Sequence, residues 1–391
     1  MRILIDVTSA AESPMNTGIQ RVVRGVTHEL HQQHSIEPLV WDEPLGHYRG
    51  LLPWEITNLW QPGANWQQHL PPTLRGPFLR TLKQRPKWRR KRQGLGQPLA
   101  DWLPGVDLFL VPEVFRDGRL PVLQQARPAS LAKWVAFFYD ATPLKLAEIT
   151  DPARREQIDR YHEALAIFDL VLAASAETRD DIEALWRELA VAPAPTAIRP
   201  WPLPLQPEDS LDKGNFPARR LLYVATLEGR KNHLTLLEAA ELLWNAGERF
   251  TLDLVGRPTR HWGPKVEPEI RRLQKKGRRL LWRSNLRDPG LRRAYAECSA
   301  TVFPSLMEGY GLPILESLAF GRPCLCSADG AIGEVSLGGG CLHVEVREAE
   351  ALANGMRQLL NDEALYGRLQ SETRDRTFPT WPAFVQQMLA S

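Results

Sequence analysis

No stretch of the 391 residues is apolar for long enough to cross a bilayer, and the opening Met1-Arg-Ile-Leu-Ile-Asp6 reaches an acid too early for a secretory leader. The expected location is the cytoplasm. Cysteine is scarce, with Cys298, Cys324, Cys326 and Cys341 all in the C-terminal half. Cys324 and Cys326 would share one side of a strand, but no His or Cys stands at zinc spacing from them, so reduced core thiols are expected and no metal site. G-x-G-x-x-G and Walker-type loops are missing too, Gly94-Leu-Gly96 and Gly309-Tyr-Gly311 being isolated pairs, which leaves a dinucleotide oxidoreductase or P-loop nucleotidase unsupported. Nor is there an Asp-x-Asp pair to hold a divalent metal, and no cofactor is expected. The last absence is local. Between Glu55 and Asp101 there is no acid, while Arg75, Arg80, Lys83, Arg85, Lys87, Arg89, Arg90, Lys91 and Arg92 crowd one stretch of a chain whose net charge is only +3.

What remains is an ordinary globular composition at a length that suits two domains, each able to bury its own core. Short apolar runs at 3–7, 36–41, 106–111, 134–139 and 170–174 read as strands, and the helical patterns 18–30, 154–166 and 178–189 alternate with them. That α/β rhythm implies a doubly wound first domain over 1–200 with a basic, Trp- and Pro-rich insertion at about 56–100. A proline-rich linker over 201–218 follows. A second domain over 219–380 then opens with a strand at 221–225 and a helix at 233–245, and continues through strands at 251–255, 280–282, 300–303 and 324–326. A final helical pattern occupies 381–389 within a closing segment, 381–391.

The densest chemistry lies in Pro304-Ser-Leu-Met-Glu308-Gly-Tyr-Gly-Leu-Pro-Ile-Leu-Glu316-Ser-Leu-Ala-Phe-Gly321. It reads as a strand end, a glycine turn at Gly309 and Gly311, and a helix with Pro313 in its first turn and Gly321 past its end. Free backbone N–H groups and the positive end of a helix dipole suit a phosphate there. Carboxylates repel phosphate, so Glu308 and Glu316 must serve something else. A carboxylate accepts two hydrogen bonds from vicinal hydroxyls, as on a ribose or hexose. The plainer reading of each is a solvated surface glutamate.

Arg230 and Lys231 follow the strand at 221–225, in Thr226-Leu-Glu-Gly-Arg-Lys-Asn-His233. Cations at a helix start oppose its dipole and so call for an explanation. Near the N-terminus, Asn16-Thr-Gly18 precedes a helix, where Gly18 either lets the backbone approach a ligand or merely begins a helix capped by Asn16 or Thr17. Asp140, in Tyr139-Asp-Ala-Thr-Pro143, could accept a hydroxyl hydrogen bond or serve an Asx turn. Ser175 reads chiefly as a helix cap.

The segment 304–321 resembles the E-x7-E motif of retaining glycosyltransferases of family 4, which have the GT-B fold. The likeness extends to the segments 226–233 and 16–23 and to the strand-helix rhythm of nearly the whole chain. It implies two Rossmann-like doubly wound domains facing a cleft, with the closing segment 381–391 returning to the first domain. It also implies a retaining, metal-independent transfer of a hexose, with mannose as the candidate sugar, from a nucleotide-diphosphate sugar (GDP-mannose or a UDP-sugar) to a glycan or lipid-linked acceptor in surface-polysaccharide or O-chain synthesis.

By that resemblance Glu308 faces the donor sugar and Glu316 holds the ribose. Lys231 and Arg230 bind the diphosphate and share its growing charge, aided by the turn Gly309, Tyr310, Gly311 and Leu312. Thr226 occupies the place of the family's first cation. Gly18 and Asp140 lie near donor and acceptor, and Tyr139 stands where relatives carry a histidine. A GT-B nucleotide-sugar epimerase and a non-catalytic GT-B partner subunit are the alternatives.

The basic stretch over 75–92 has three readings: a solvated loop, a nucleic-acid patch and a contact with the inner face of the plasma membrane. Leu74, Phe78 and Leu82 fall on one helical face, Trp88 suits an interface, and nothing else in the chain resembles a nucleic-acid module, so no nucleic-acid partner is expected. Clustered Lys and Arg are worth about 1 kcal/mol each at an anionic leaflet. Changing Arg89, Arg90, Lys91 and Arg92 to Gln should therefore reduce co-sedimentation with anionic vesicles at low salt, and high salt should release the native chain. Equal, salt-insensitive behaviour of the two proteins would leave a solvated loop.

Overall fold

The computed structural model describes residues 1–62, 94, 96–115, 117–141, 145–146, 161–191, 197–200, 203–204, 219–284, 286 and 288–391. The basic stretch 75–92 and most of the linker 201–218 lie outside the described residues, and the helix expected over 154–166 is described from residue 161 on. Two compact units form: Met1–Pro202 with Trp381–Ser391, and Leu203–Thr380.

The first unit is built on the strands β1 (Arg2–Asp6), β2 (Ser35–Asp42), β3 (His47–Arg49), β4 (Gly96–Gln97), β5 (Leu108–Val111), β6 (Lys133–Phe138), β7 (Leu170–Ala173) and β8 (Ala197–Pro200). Their order is β4-β3-β2-β1-β5-β6-β7-β8, parallel from β2 to β8, with β3 and β4 antiparallel at the edge. Continuous apolar runs such as Leu108-Phe-Leu-Val111 form the central strands because both faces of a parallel sheet are covered. Rings step across one face from Tyr48 to Phe109, Trp134 and Phe168, with centroids 6.1, 4.8 and 5.7 Å apart.

The strand order reverses between β1 and β5, and a buried charged network gathers there. Asp6 accepts from the Tyr48 hydroxyl at 2.8 Å, the Thr8 hydroxyl at 2.6 Å and the Arg119 guanidinium, which also pairs with Asp117. Glu113, at the end of β5, takes the backbone N–H groups of Ser9 and Ala10 at 2.5 and 2.8 Å. Burial and the nearby Asp6 push its carboxyl up to about 8.

The second unit holds β9 (Arg220–Val224), β10 (Thr251–Val255), β11 (Leu280–Arg283), β12 (Ala300–Phe303), β13 (Cys324–Cys326) and β14 (Cys341–His343), all parallel in the order β11-β10-β9-β12-β13-β14. This is the doubly wound order whose switch point falls between its first and fourth strands, β9 and β12, where parallel sheets take ligands beyond the strands' carboxyl ends. The two units thus form α/β sheets of the class the sequence implies. Cys298, Cys324 and Cys326 are buried free thiols, and Cys341 is half-buried and free. Among the described residues no helix is long and apolar enough to cross a membrane.

The closing helix Trp381–Ala390 belongs to the first unit and packs on the helix Gly18–Gln33. Phe384 meets Phe137 of β6 at 5.7 Å, and the Trp381 indole lies on Gly25 so closely that a Cβ there would stand 2.2 Å from the ring. Gly25→Val should therefore displace the Trp381 ring and destabilise the first unit by about 1–3 kcal/mol, the range of core overpacking. A wild-type thermal midpoint in that variant would show that the closing helix does not need this contact.

Candidate functional site

Two loops meet at the switch point of the second sheet. After β9 the chain runs through Thr226 into a short 3₁₀ turn, Gly229–Lys231, and Asn232 takes a left-handed φ of 55° before the helix His233–Asn245. Asn232 spends its amide on Val346 O (2.7 Å) and accepts from the Thr235 hydroxyl at 2.6 Å. Gly229 has no alternative, because the Trp262 ring covers it and a Cβ would lie 2.3 Å from that ring. After β12, Pro304–Gly311 forms the second loop, and Gly311, at φ 106°, starts the helix Leu312–Ala319 with Pro313 in its first turn.

The loops are joined by backbone and by charge. Leu306 N–H donates to Arg230 O at 2.8 Å, and Arg230 Nη1 donates to Met307 O at 3.2 Å and to Glu308 Oε2 at 2.5 Å. The Lys231 ammonium donates to Glu308 Oε1, which also accepts from the Ser305 hydroxyl at 2.5 Å. Glu308 and Lys231 are each less than a tenth exposed, and Ser305 is fully buried. Burial raises the Glu308 carboxyl, but the charges of Lys231 and Arg230 with the hydrogen bonds from Lys231 and Ser305 outweigh it and hold the group down at about 2. Lys231 is drawn below the ordinary lysine value by burial and the Arg230 charge, against the pull of Glu308. One anion shared by two cations gives that asymmetry: the carboxylate gains from both, while the cations repel each other. Burial and Lys231 push the His233 imidazole down to about 3, so it is neutral.

Of the residues singled out from sequence, the structure thus brings Arg230, Lys231 and Glu308 into one cluster, with Gly309, Tyr310 and Gly311 on the same loop as Glu308 and Leu312 opening the helix that follows. Glu316, on the following helix, is 4% exposed and accepts the Tyr295 hydroxyl at 2.7 Å on Oε2, so it is a buried, positioned carboxylate and not a solvated one. Tyr310 is largely covered. Thr226 is exposed, and its hydroxyl donates to Glu228 Oε1 at 2.9 Å.

Gly18 and Asp140 belong to the first unit. Gly18 is exposed and opens the helix Gly18–Gln33; Gln20 Oε1 accepts from Thr17 N–H at 3.1 Å, so Thr17 stands at the helix cap. Asp140 is half-buried beyond β6. Tyr139 is buried and donates its hydroxyl to Pro112 O at 2.6 Å, which makes it a packing residue. Ser175 caps the helix Ala176–Glu188 by accepting from Thr178 N–H at 3.1 Å.

Sequence reasoning overlooked Ser305, Tyr295 and Glu228. Ser305 stands three residues before Glu308 within the quoted segment and could have been found as its neighbour; Tyr295, 21 positions from Glu316, left no local signal.

Residues 211–376 match the family described as glycosyl transferases group 1. The chain is 29% identical over 248 residues to the O-antigen chain mannosyltransferase B of Escherichia coli, covering 61% of this chain and 64% of that protein. It is 25% identical over 342 residues to the serotype-specific mannosyltransferase WbdA of Escherichia coli, covering 81% of this chain and 37% of that one. The match therefore spans less than two thirds of either relative. Among solved structures, sucrose-phosphate synthase of Thermosynechococcus elongatus superposes with a TM-score of 0.67 at 19% identity, covering 100% of this chain and 98% of its own. Anabaena Alr3699/HepE, solved with UDP and glucose, gives 0.62 at 15% identity with 100% and 98% covered. Those structures are GT-B glycosyltransferases, and the fold of this chain is GT-B.

The Glu308 carboxylate, lowered when folded, contributes stability that is full above the ordinary value of 4.5 and is lost as pH falls toward about 2. Breaking a buried pair costs about 3–5 kcal/mol. Glu308→Gln should thus unfold at markedly lower denaturant than wild type at neutral pH, and the gap should narrow below pH 4.5. A gap of constant size across the acid range would mean that Glu308 is not held as a carboxylate.

Proposed function

We propose that this chain, whose residues 211–376 match the family described as glycosyl transferases group 1, transfers a hexose from a nucleotide-diphosphate sugar to a glycan or lipid-linked acceptor, with retention of configuration and without a metal. The observation that carries the reading is the cluster of Arg230, Lys231 and Glu308 at the switch point of the second sheet, with Glu316 eight residues on in the helix that starts there. GDP-mannose or a UDP-sugar is the proposed donor, and the names of the two Escherichia coli relatives support mannose as the sugar. Surface-polysaccharide synthesis is the proposed setting. The acceptor lies at the inner face of the membrane, where the basic stretch 75–92 meets anionic lipid.

In the proposed reaction the glycosidic bond weakens while negative charge builds on the departing diphosphate. Arg230, Lys231 and the N–H groups about Gly309–Leu312 are donors placed to meet this charge as it grows, which is where such groups lower a barrier most. Glu308 orients the sugar through its hydroxyls, and Glu316, steadied by Tyr295, holds the ribose. Thr226, Gly18 and Asp140 are the further residues proposed to bind the donor. Retention follows from front-face substitution, in which the leaving phosphate takes the proton of the acceptor hydroxyl, so no side chain is needed as a covalent nucleophile.

A thermal-shift panel of GDP, UDP, ADP and CMP tests the nucleotide: stabilisation of about 2.7 kcal/mol at a hundredfold excess over Kd identifies the base. Glu316→Gln should weaken free nucleoside diphosphate, whereas Glu308→Gln should spare it and depress turnover. Lys231→Ala should lower kcat by about a hundredfold, more than it weakens donor binding, because the charge it meets grows toward the transition state. Equal losses of nucleotide affinity in the two glutamine variants, or activity abolished by a chelator, would overturn the assignment.

A further inference from the structure

The Arg230 guanidinium is held between two carboxylates and not one. Its Nη1 is on Glu308 Oε2, and its Nε faces Glu228 Oε2 at 3.4 Å, while Glu228 is itself tied by the Thr226 hydroxyl on its other oxygen. The four residues differ in freedom. Lys231 and Glu308 have side chains 9% exposed, whereas Arg230 and Glu228 are 20% and 35% exposed. Glu308 keeps the ammonium of Lys231 and the hydroxyl of Ser305 even without Arg230, so releasing Arg230 leaves no buried carboxylate without a partner. Arg230 is therefore the member that can change partner.

Resting on the nucleotide-sugar reading above, we propose that Glu228 is a positioning residue. It retains the Nε edge of Arg230 while a diphosphate replaces Glu308 on Nη1, and Glu308 Oε2 is thereby turned over to a donor hydroxyl. A planar guanidinium offers its N–H groups in fixed directions, so a carboxylate on one edge sets where the other edge points. Glu228 is at the same time a negative charge beside an incoming anion, so it opposes diphosphate binding while aligning the group that serves the reaction.

These two effects have opposite signs, which separates them from a structural role. In calorimetry with inorganic pyrophosphate, Glu228→Gln should bind about threefold tighter than wild type at low salt, an advantage that shrinks as salt screens the charge. With GDP-mannose as donor its kcat should fall about tenfold while KM does not rise. Glu228→Asp, which keeps the charge, should return pyrophosphate affinity to the wild-type value. Unchanged or weaker pyrophosphate binding by Glu228→Gln, beside a wild type that binds it, would overturn this inference and leave the functional reading standing. A wild type that binds neither pyrophosphate nor any nucleotide of the panel would overturn both.

Discussion

One carboxylate, Glu308, ties the second unit's functional region together. It sits on the loop after β12 yet is satisfied largely from the loop after β9, by Arg230 and Lys231. Those strands are neighbours at the reversal of strand order, so the pairing is made where the sheet leaves the two loops side by side. The other features of the region serve that contact. Gly229 admits the Trp262 ring, Asn232 turns the chain sharply into its helix, and Tyr223 donates to Lys231 O at 2.5 Å to fix the backbone under the ammonium. The cluster thus holds one anion between two cations, each already paired before anything else arrives.

The first unit has a different solution at its own reversal point. Asp6, Tyr48, Thr8, Arg119 and Asp117 saturate one another, and Glu113 caps two backbone N–H groups of the segment after β1. Asp6 and Glu113 are almost fully buried, so this network shapes the loop ends and holds them still. Arg24 acts similarly on the segment before the helix Gly18–Gln33. Its guanidinium reaches the carbonyls of Ala10, Ser13, Met15 and Asn58 and the Asn16 side chain, and gives the Asn16-Thr17-Gly18 turn a rigid floor.

The fold was legible because parallel strands buried on both faces write themselves as unbroken apolar runs, as in Leu221-Leu-Tyr-Val-Ala225 and Ala300-Thr-Val-Phe303, with helix starts marked by Gly311, Pro313 and Ser175. β3, β4, β8 and β14 escaped notice because they are short and mix polar residues, glycine or proline into the run, whereas the equally short β13, Cys324-Leu-Cys326, is apolar throughout. Glu308, Arg230 and Lys231 could be named from sequence because each sits just past a strand in an uncommon local pattern. Their mutual pairing could not, since 77 or 78 positions separate the partners and only the strand order brings them together. The Tyr295 hydroxyl on Glu316, 21 positions away, was hidden for a similar reason.

The antiparallel edge of the first sheet sets where this chain can change in length. Arg49, buried in β3, pairs with Asp42 at 2.8 Å and with both oxygens of Glu55, so the chain is riveted to the sheet just before the helix Pro53–Trp60. It next joins the sheet as β4, hydrogen-bonded to that same β3. The departure and return points are therefore fixed side by side independently of what lies between them. Lengthening or shortening the intervening chain costs only the slow logarithmic growth of loop-closure entropy. The length and charge of the chain between the helix and β4 can therefore change without disturbing the pairing of β3 with β4.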